Sequence, residues 1–177
     1  MKPKRFGSPE KTIQEIGIDK KGVVIDFGAG SGHWTIAAAR NLGPSGKVIA
    51  IDISKELLGR LESMAMLHGF GNVITKHSSF LTLDTEDLPL ADLSILANTL
   101  SFVKARDIVV KKAYELTKSG GKLIAIEWLK EEMHFGPPKE KRLSKKETVE
   151  LLKSAGFKVL GEIDSGHFHY GIVFERV

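Results

Sequence analysis

The sequence predicts an α/β fold: a doubly wound sheet of seven strands, mostly parallel, with helices on both faces. Three observations carry this expectation. Residues 23–52 read as strand, glycine loop, helix and second strand, which is one complete crossover unit. Short β-branched runs then alternate with apolar residues at helical spacing as far as residue 155. Last come two alternating stretches around Ser165-Gly166, a hairpin signal that places one antiparallel strand in the sheet. No internal repeat is visible, and the 177 residues are expected to form a single domain.

Residues 1–20 open the chain as a basic, turn-rich segment followed by a helix, with Ser8 as its cap and Pro9 in its first turn. Val23, Val24 and Ile25 suit a strand buried on both faces. The next helix turns Trp34, Ile36, Ala37, Ala38 and Leu42 inward, and Gly43-Pro44 stops it. The second strand, residues 47–51, ends at Asp52. Ser54 caps a helix with Leu57, Leu58, Leu61, Met64 and Ala65 at helical spacing, where Met64 and Met66 read as core filler. Residues 73–76 form a third strand, and a polar link, 77–89, leads to a fourth at 91–97 with Asn98 just beyond it. The amphipathic pattern of Ala105, Ile108, Val109, Ala113 and Leu116 predicts a helix closed by Ser119-Gly120-Gly121, before a fifth strand over 122–127. A second link, 129–143, is too polar to be buried. Ser144 and Glu147 spell a capping box for the last helix. In the final strand Phe168, Tyr170, Ile172 and Phe174 share one face, and His167 and His169 the other.

The first loop distinguishes two kinds of nucleotide site. A dinucleotide fingerprint needs a third glycine where this chain has His33. The chain offers Gly28, Gly30 and Gly32 in alternation, with Asp26 two residues upstream. A carboxylate there is a poor neighbour for a pyrophosphate and a good one for a cation. Asp52, at the end of the adjacent strand, is placed to accept hydrogen bonds from ribose hydroxyls. The ligand so described has an unphosphorylated ribose and a positively charged tail.

Asp26-Phe27-Gly28-Ala29-Gly30-Ser31-Gly32, followed by Val48-Ile49-Ala50-Ile51-Asp52, resembles the first glycine motif and the acidic second-strand motif of class I S-adenosylmethionine-dependent methyltransferases. The C-terminal part, with Glu127-Trp128-Leu129-Lys130, the polar link and the final strand pair, is similar to the small enzymes akin to the ubiquinone/menaquinone C-methyltransferase group. The resemblance implies a Rossmann-like sheet in the order 3-2-1-4-5-7-6 with strand 7 antiparallel. It also implies S-adenosylmethionine as cofactor, released as S-adenosylhomocysteine, and a leading segment over the cofactor mouth with Phe6 as a candidate cover; packing on the sheet edge is the equal alternative. The implied cofactor-binding set is Asp26, Gly28, Ala29, Gly30, Asp52, Ile53, Ser79, Phe80 and Asn98. Ser79 stands where the family usually has an Asp that reads the adenine amino group, and the Phe80 N–H would meet an adenine ring nitrogen. Asn98-Thr99-Leu100-Ser101 lacks the prolines and aromatic of the enzymes that methylate adenine or glutamine amino groups. With no cysteine in the chain, the arsenite branch is excluded. The acceptor is expected to be a small molecule entering between residues 98–102 and 128–135, with Glu127 and His134 as the titratable groups nearest to it. RNA or protein methylation is the first alternative. A nucleotide-binding module or a nicotinamide-dependent oxidoreductase is the second. A homodimer is left open.

Composition sets the outer limits. Hydrophobic residues make up 42% and charged residues 27%, as in soluble globular proteins. No membrane span or secretory leader is indicated, so a cytoplasmic location is the default. The net charge of +4 does not itself call for nucleic acid. The basic run 139–146 reads as a solvated loop and helix start. No metal is expected, because His167 and His169 lack a third ligand.

Overall fold

A computed structural model describes residues 5–177. Its strands are β1 (Val23–Phe27), β2 (Lys47–Asp52), β3 (Val73–His77), β4 (Ala91–Ala97), β5 (Thr117–Trp128), β6 (Phe157–Ile163) and β7 (His169–Arg176). They form one seven-stranded sheet in the order β3-β2-β1-β4-β5-β7-β6. Neighbours from β3 to β5 run parallel, whereas β7 is antiparallel to both β5 and β6. The helices are α1 (Pro9–Ile16), α2 (His33–Asn41), α3 (Lys55–Leu67), α4 (Arg106–Leu116) and α5 (Lys145–Ser154).

The strand period of two sorts the core into layers. Ile25, Phe27, Ile49, Ile51, Leu96 and Leu123 face α4 and α5, meeting Val109, Val110, Leu116 and Leu152. Val24, Val48, Leu93, Ile95, Ile124 and Ile126 face α1 and α2, meeting Ile13, Ile16, Ala37 and Ala38. Near the sheet edge Ala50 packs with Leu58, Leu61 and Ala65 of α3. The alternation that buries Val24 puts Asp26 on the α2 side as well. No helix among the described residues is long and apolar enough to cross a membrane.

Several local expectations change. The helix before β5 ends at Leu116, and Ser119, Gly120 and Gly121 lie within β5. Thr117 makes the break. Its hydroxyl donates to the Ala113 carbonyl at 2.6 Å and lies 2.7 Å from Ser94 Oγ, so the helix end is satisfied by a residue already in extended conformation. The glycines form an irregularity in the β4–β5 register between Ala91 and Leu93. Met66 is 81% exposed and fills no core, because it falls on the outer face of α3; Met64 alone of the pair packs inward.

The link 129–143 is not wholly exposed, nor is the basic run wholly solvated. Arg142 is buried, with its guanidinium donating to the carbonyls of Leu129, Glu131, Phe135 and Pro137. One cation thereby gathers the loop from within. Phe168 precedes β7 and packs against Phe6 and Phe135, so it does not continue the strand face of Tyr170 and Phe174.

The capping box is formed as its spacing implies. Ser144 Oγ accepts from the Glu147 N–H at 3.2 Å, and Glu147 Oε2 accepts from the Ser144 N–H at 2.7 Å. Ser144→Ala is expected to cost about 1 kcal/mol of stability, read as a lower urea midpoint with unchanged slope.

Candidate active site

A cleft of about 1010 Å³ opens at the carboxyl edge of the parallel strands, where ligands of doubly wound sheets collect. Its floor is the glycine loop. The N–H groups of Gly28 and Ala29 both donate to the Ile51 carbonyl, at 2.8 and 3.1 Å, tying β1 to β2 as the strands end. Gly28 has φ +77°, and a Cβ on it would lie 2.8 Å from Thr99 Oγ1. Thr99 Oγ1 itself donates to the Phe27 carbonyl at 2.6 Å, so the loop after β4 is seated directly on the loop after β1. Gly32, at φ +84°, caps α2 where a side chain would run into Leu61. Here glycine is required by both conformation and space.

Asp52 holds this floor to the lip of the next strand. Its Oδ2 accepts from the Gly30 N–H and its Oδ1 from the Ser54 N–H, both at 2.8 Å. Each oxygen retains acceptor capacity for a ligand hydroxyl. Asp26 lies deeper and is 2% exposed, accepting from Thr35 Oγ1 at 2.6 Å. Burial, with the Asp52 charge adding to it against the opposing Thr35 hydrogen bond, pushes its carboxyl up to about 6. A cation entering the cleft would favour the ionised carboxylate and so offset both causes, which suits the pair to positive charge.

Asp26, Gly28, Ala29, Gly30, Asp52, Ile53, Ser79, Phe80 and Asn98 all line the cleft. Ile53 forms an exposed lip and Ser79 Oγ accepts from the Leu81 N–H at 3.2 Å. Asn98 adopts φ +57° while its N–H donates to the Ile126 carbonyl at 2.8 Å. Its Oδ1 is buried without a hydrogen-bond partner. An unpaired buried acceptor beside a floor that excludes side chains is what a site for a polar ligand leaves open, so the residues fit the implied cofactor.

Glu127 and His134 stand apart from the cleft wall. Glu127 is fully buried. Its Oε1 accepts from the Leu100 N–H at 2.7 Å and its Oε2 from Ser101 Oγ at 2.6 Å, which fixes the loop after β4 from beneath. Burial outweighs these hydrogen bonds and pushes the carboxyl up to about 7. His134 is exposed on the link. Trp128 and Phe135 sit behind the cleft in a ring cluster with Phe6, Phe168 and His169.

Phe6, Gly7 and His169 supply the wall opposite the glycine loop. The segment around Phe6 is pinned to the β6–β7 turn. The His167 N–H donates to the Arg5 carbonyl at 2.9 Å, Phe6 bridges Gly166, and Arg5 pairs with Asp164. Meanwhile α1 lies against α2, and Pro9 and Thr12 of α1 line the cleft together with Phe6 and Gly7. Sequence reasoning missed Thr99 and the place of His169 at the cleft. The signal for Thr99 was adjacency to Asn98 at a strand end; for His169 none was available before the register with Trp128 was known. Among the described residues no group of three or more His, Cys, Asp or Glu side chains is placed to hold a metal ion.

The geometry agrees with likeness to known proteins. Over 116 residues the chain is 30% identical to the demethylmenaquinone methyltransferase of Anoxybacillus flavithermus, covering 66% of this chain and 48% of that one. It is 29% identical over 123 residues to the ubiquinone/menaquinone biosynthesis C-methyltransferase of Hahella chejuensis, covering 67% and 48%. The chain thus spans about half the length of these two relatives. The crystal structure of a SAM-dependent methyltransferase from Aquifex aeolicus superposes with a TM-score of 0.87 at 27% identity, over 97% of this chain and 91% of that one. Residues 18–168 match the family model of the methyltransferase domain, and the chain belongs to that family.

Proposed function

We propose that this chain transfers the methyl group of S-adenosylmethionine to a small-molecule acceptor. The observation that carries the reading is the join between the glycine loop and Asp52 through the Gly30 N–H, which presents a bare backbone floor and a carboxylate on one side of the cleft. Asp52 takes the ribose hydroxyls, and Gly28, Ala29 and Gly30 admit the cofactor against the backbone. Ile53, Ser79 and the Phe80 N–H frame the adenine, and Asn98 Oδ1 accepts a donor from the cofactor's amino-acid end. The bound cofactor supplies a methyl group on a sulfonium, which leaves as a neutral thioether in an in-line displacement. The chain therefore has little leaving-group charge to stabilise, and alignment with exclusion of water does most of the work. Glu127 contributes by holding residues 100 and 101 in place, so we assign it to positioning; His134, on the exposed link, stays a candidate base only for an acceptor that reaches it.

A small acceptor is favoured over RNA by the ion pairing of the basic run. Within the run Lys139 pairs with Glu132, Lys145 with Glu162 and Lys146 with Glu150, and outside it Lys130 pairs with Glu147, which reduces the net positive field offered to a phosphate backbone. By likeness to the two named relatives, a demethylmenaquinone-type acceptor is the first to assay. Cofactor class is tested by calorimetry with S-adenosylmethionine, S-adenosylhomocysteine, NAD and NADP in one buffer. Asp26 and Asp52 should favour the sulfonium and repel the phosphorylated ligands. NADP binding tighter than S-adenosylmethionine would overturn the proposal in favour of a nicotinamide enzyme.

A further inference from the structure

Among the described residues, two buried side-chain polar atoms lack a hydrogen-bond partner, Asn98 Oδ1 and His169 Nε2, and both residues line the cleft. A buried polar atom left unpaired is costly, so each one in a folded protein calls for an explanation, such as a functional role or a partner that completes it. Asn98 belongs with the cofactor half. His169 lies on the opposite wall and has no assigned partner.

We propose that His169 is the specificity-determining anchor of the acceptor, its Nε2 taking a hydrogen bond from an uncharged hydroxyl carried on an apolar, ring-shaped skeleton. This rests on the methyltransferase reading above. The other polar side chains near this wall are already engaged within their own segments. Thr12 Oγ1 donates to the Ser8 carbonyl at 3.0 Å, and Ser165 Oγ to the Ile163 carbonyl at 3.4 Å. The surroundings are aromatic: the His169 ring lies 4.1 Å from Trp128 and 5.9 Å from Phe6, centroid to centroid. Burial, with the Arg142 charge as a second cause, holds the imidazole down at about 4, so it is neutral near pH 7 and recognises its partner by hydrogen bonding and not by charge. His169 is paired directly with Trp128 across β5 and β7, so the anchor sits on a rigid element. In the tautomer with its proton on Nδ1, Nε2 offers one lone pair, which selects a donor such as a hydroxyl over a methyl group of the same size.

The test compares 4-propylphenol with 4-propyltoluene, in which a methyl group replaces the hydroxyl, by equilibrium dialysis in the presence of saturating S-adenosylhomocysteine. Wild-type protein is expected to hold the phenol at least tenfold more tightly. His169→Phe should reduce that ratio to about one by weakening the phenol alone, and His169→Gln, which keeps an acceptor, should restore part of it. A merely structural role would weaken both probes together. Equal affinity of the two probes for the wild type, or an unchanged ratio in His169→Phe, would overturn the assignment; if that variant does not fold, the wild-type ratio and His169→Gln still decide. Failure of S-adenosylhomocysteine to bind the wild type, read separately by calorimetry, would instead strike the methyltransferase reading.

Discussion

Asp52→Ala is expected to weaken S-adenosylhomocysteine binding by at least about a hundredfold, because a hydrogen bond to a charged group contributes about 1.5–3 kcal/mol and the ribose offers two. The structure adds a second loss. Without the carboxylate, the N–H groups of Gly30 and Ser54 both lose their acceptor, and the glycine floor is freed from the end of β2. Asp52→Asn separates these contributions: it keeps one acceptor oxygen and the side-chain shape while removing the charge, and should fall between the alanine variant and the wild type. Calorimetry is the measurement, with circular dichroism to establish that each variant is folded. Unchanged affinity in a folded Asp52→Ala protein would remove Asp52 from the site.

Glu127→Gln is expected to flatten the pH dependence of stability. From its ordinary value of 4.5 the Glu127 carboxyl is raised to about 7 by burial. Between those values the unfolded chain has released the proton and the folded chain has kept it, so the folded state binds more protons and stability falls as pH rises. The contribution is fully present below pH 4.5 and is lost on passing about pH 7, an effect on the order of 3 kcal/mol. Asp26 acts in the same sense between 3.8 and about 6 and remains in the variant. Glutamine preserves the contacts: its carbonyl can accept from the Leu100 N–H while its amide donates to Ser101 Oγ. Urea titrations at pH 5 and pH 8 should therefore show a smaller difference for Glu127→Gln than for the wild type. An equal difference would mean that Glu127 is already ionised in the folded protein at pH 5.

What could be read from the sequence was whatever local chemistry dictates. The crossover unit, the cap at Ser8, the Ser144–Glu147 box and the fourth strand at 91–97 all follow from residues close together in the chain, and the structure repeats them. The antiparallel member was announced by the hairpin signal at Ser165-Gly166, but the strand order came from family likeness, since pairing between distant segments leaves no local trace. The errors share that cause. Gly120-Gly121 looks like a helix stop, yet Thr117 has already ended α4 by bonding backward. Arg142 looks like one member of a solvated basic run, yet four carbonyls from its own link surround it. In the site the glycine loop and Asp52 were legible because their spacing is the chemistry. His169 was not, because its place at the cleft depends on the register of β7 against β5, which sets it opposite Trp128.

The pinning of Arg5 and Phe6 to the β6–β7 turn has a consequence for how the molecule assembles. The floor of the cleft is built within a single crossover unit, whereas the contact between Arg5 and His167 closes a separation of 162 positions. Loop-closure entropy must be met before so distant a contact stabilises anything, so pairs of this kind form late in folding. The floor and this stretch of the wall thus belong to opposite ends of the folding reaction. The Arg5–Phe6 stretch is also the part that can detach with the least disturbance: among the described residues it is held to the turn by one backbone hydrogen bond, one from the Arg5 N–H to the His167 ring, a solvent-exposed ion pair and one half-exposed ring, while the floor is continuous with the sheet.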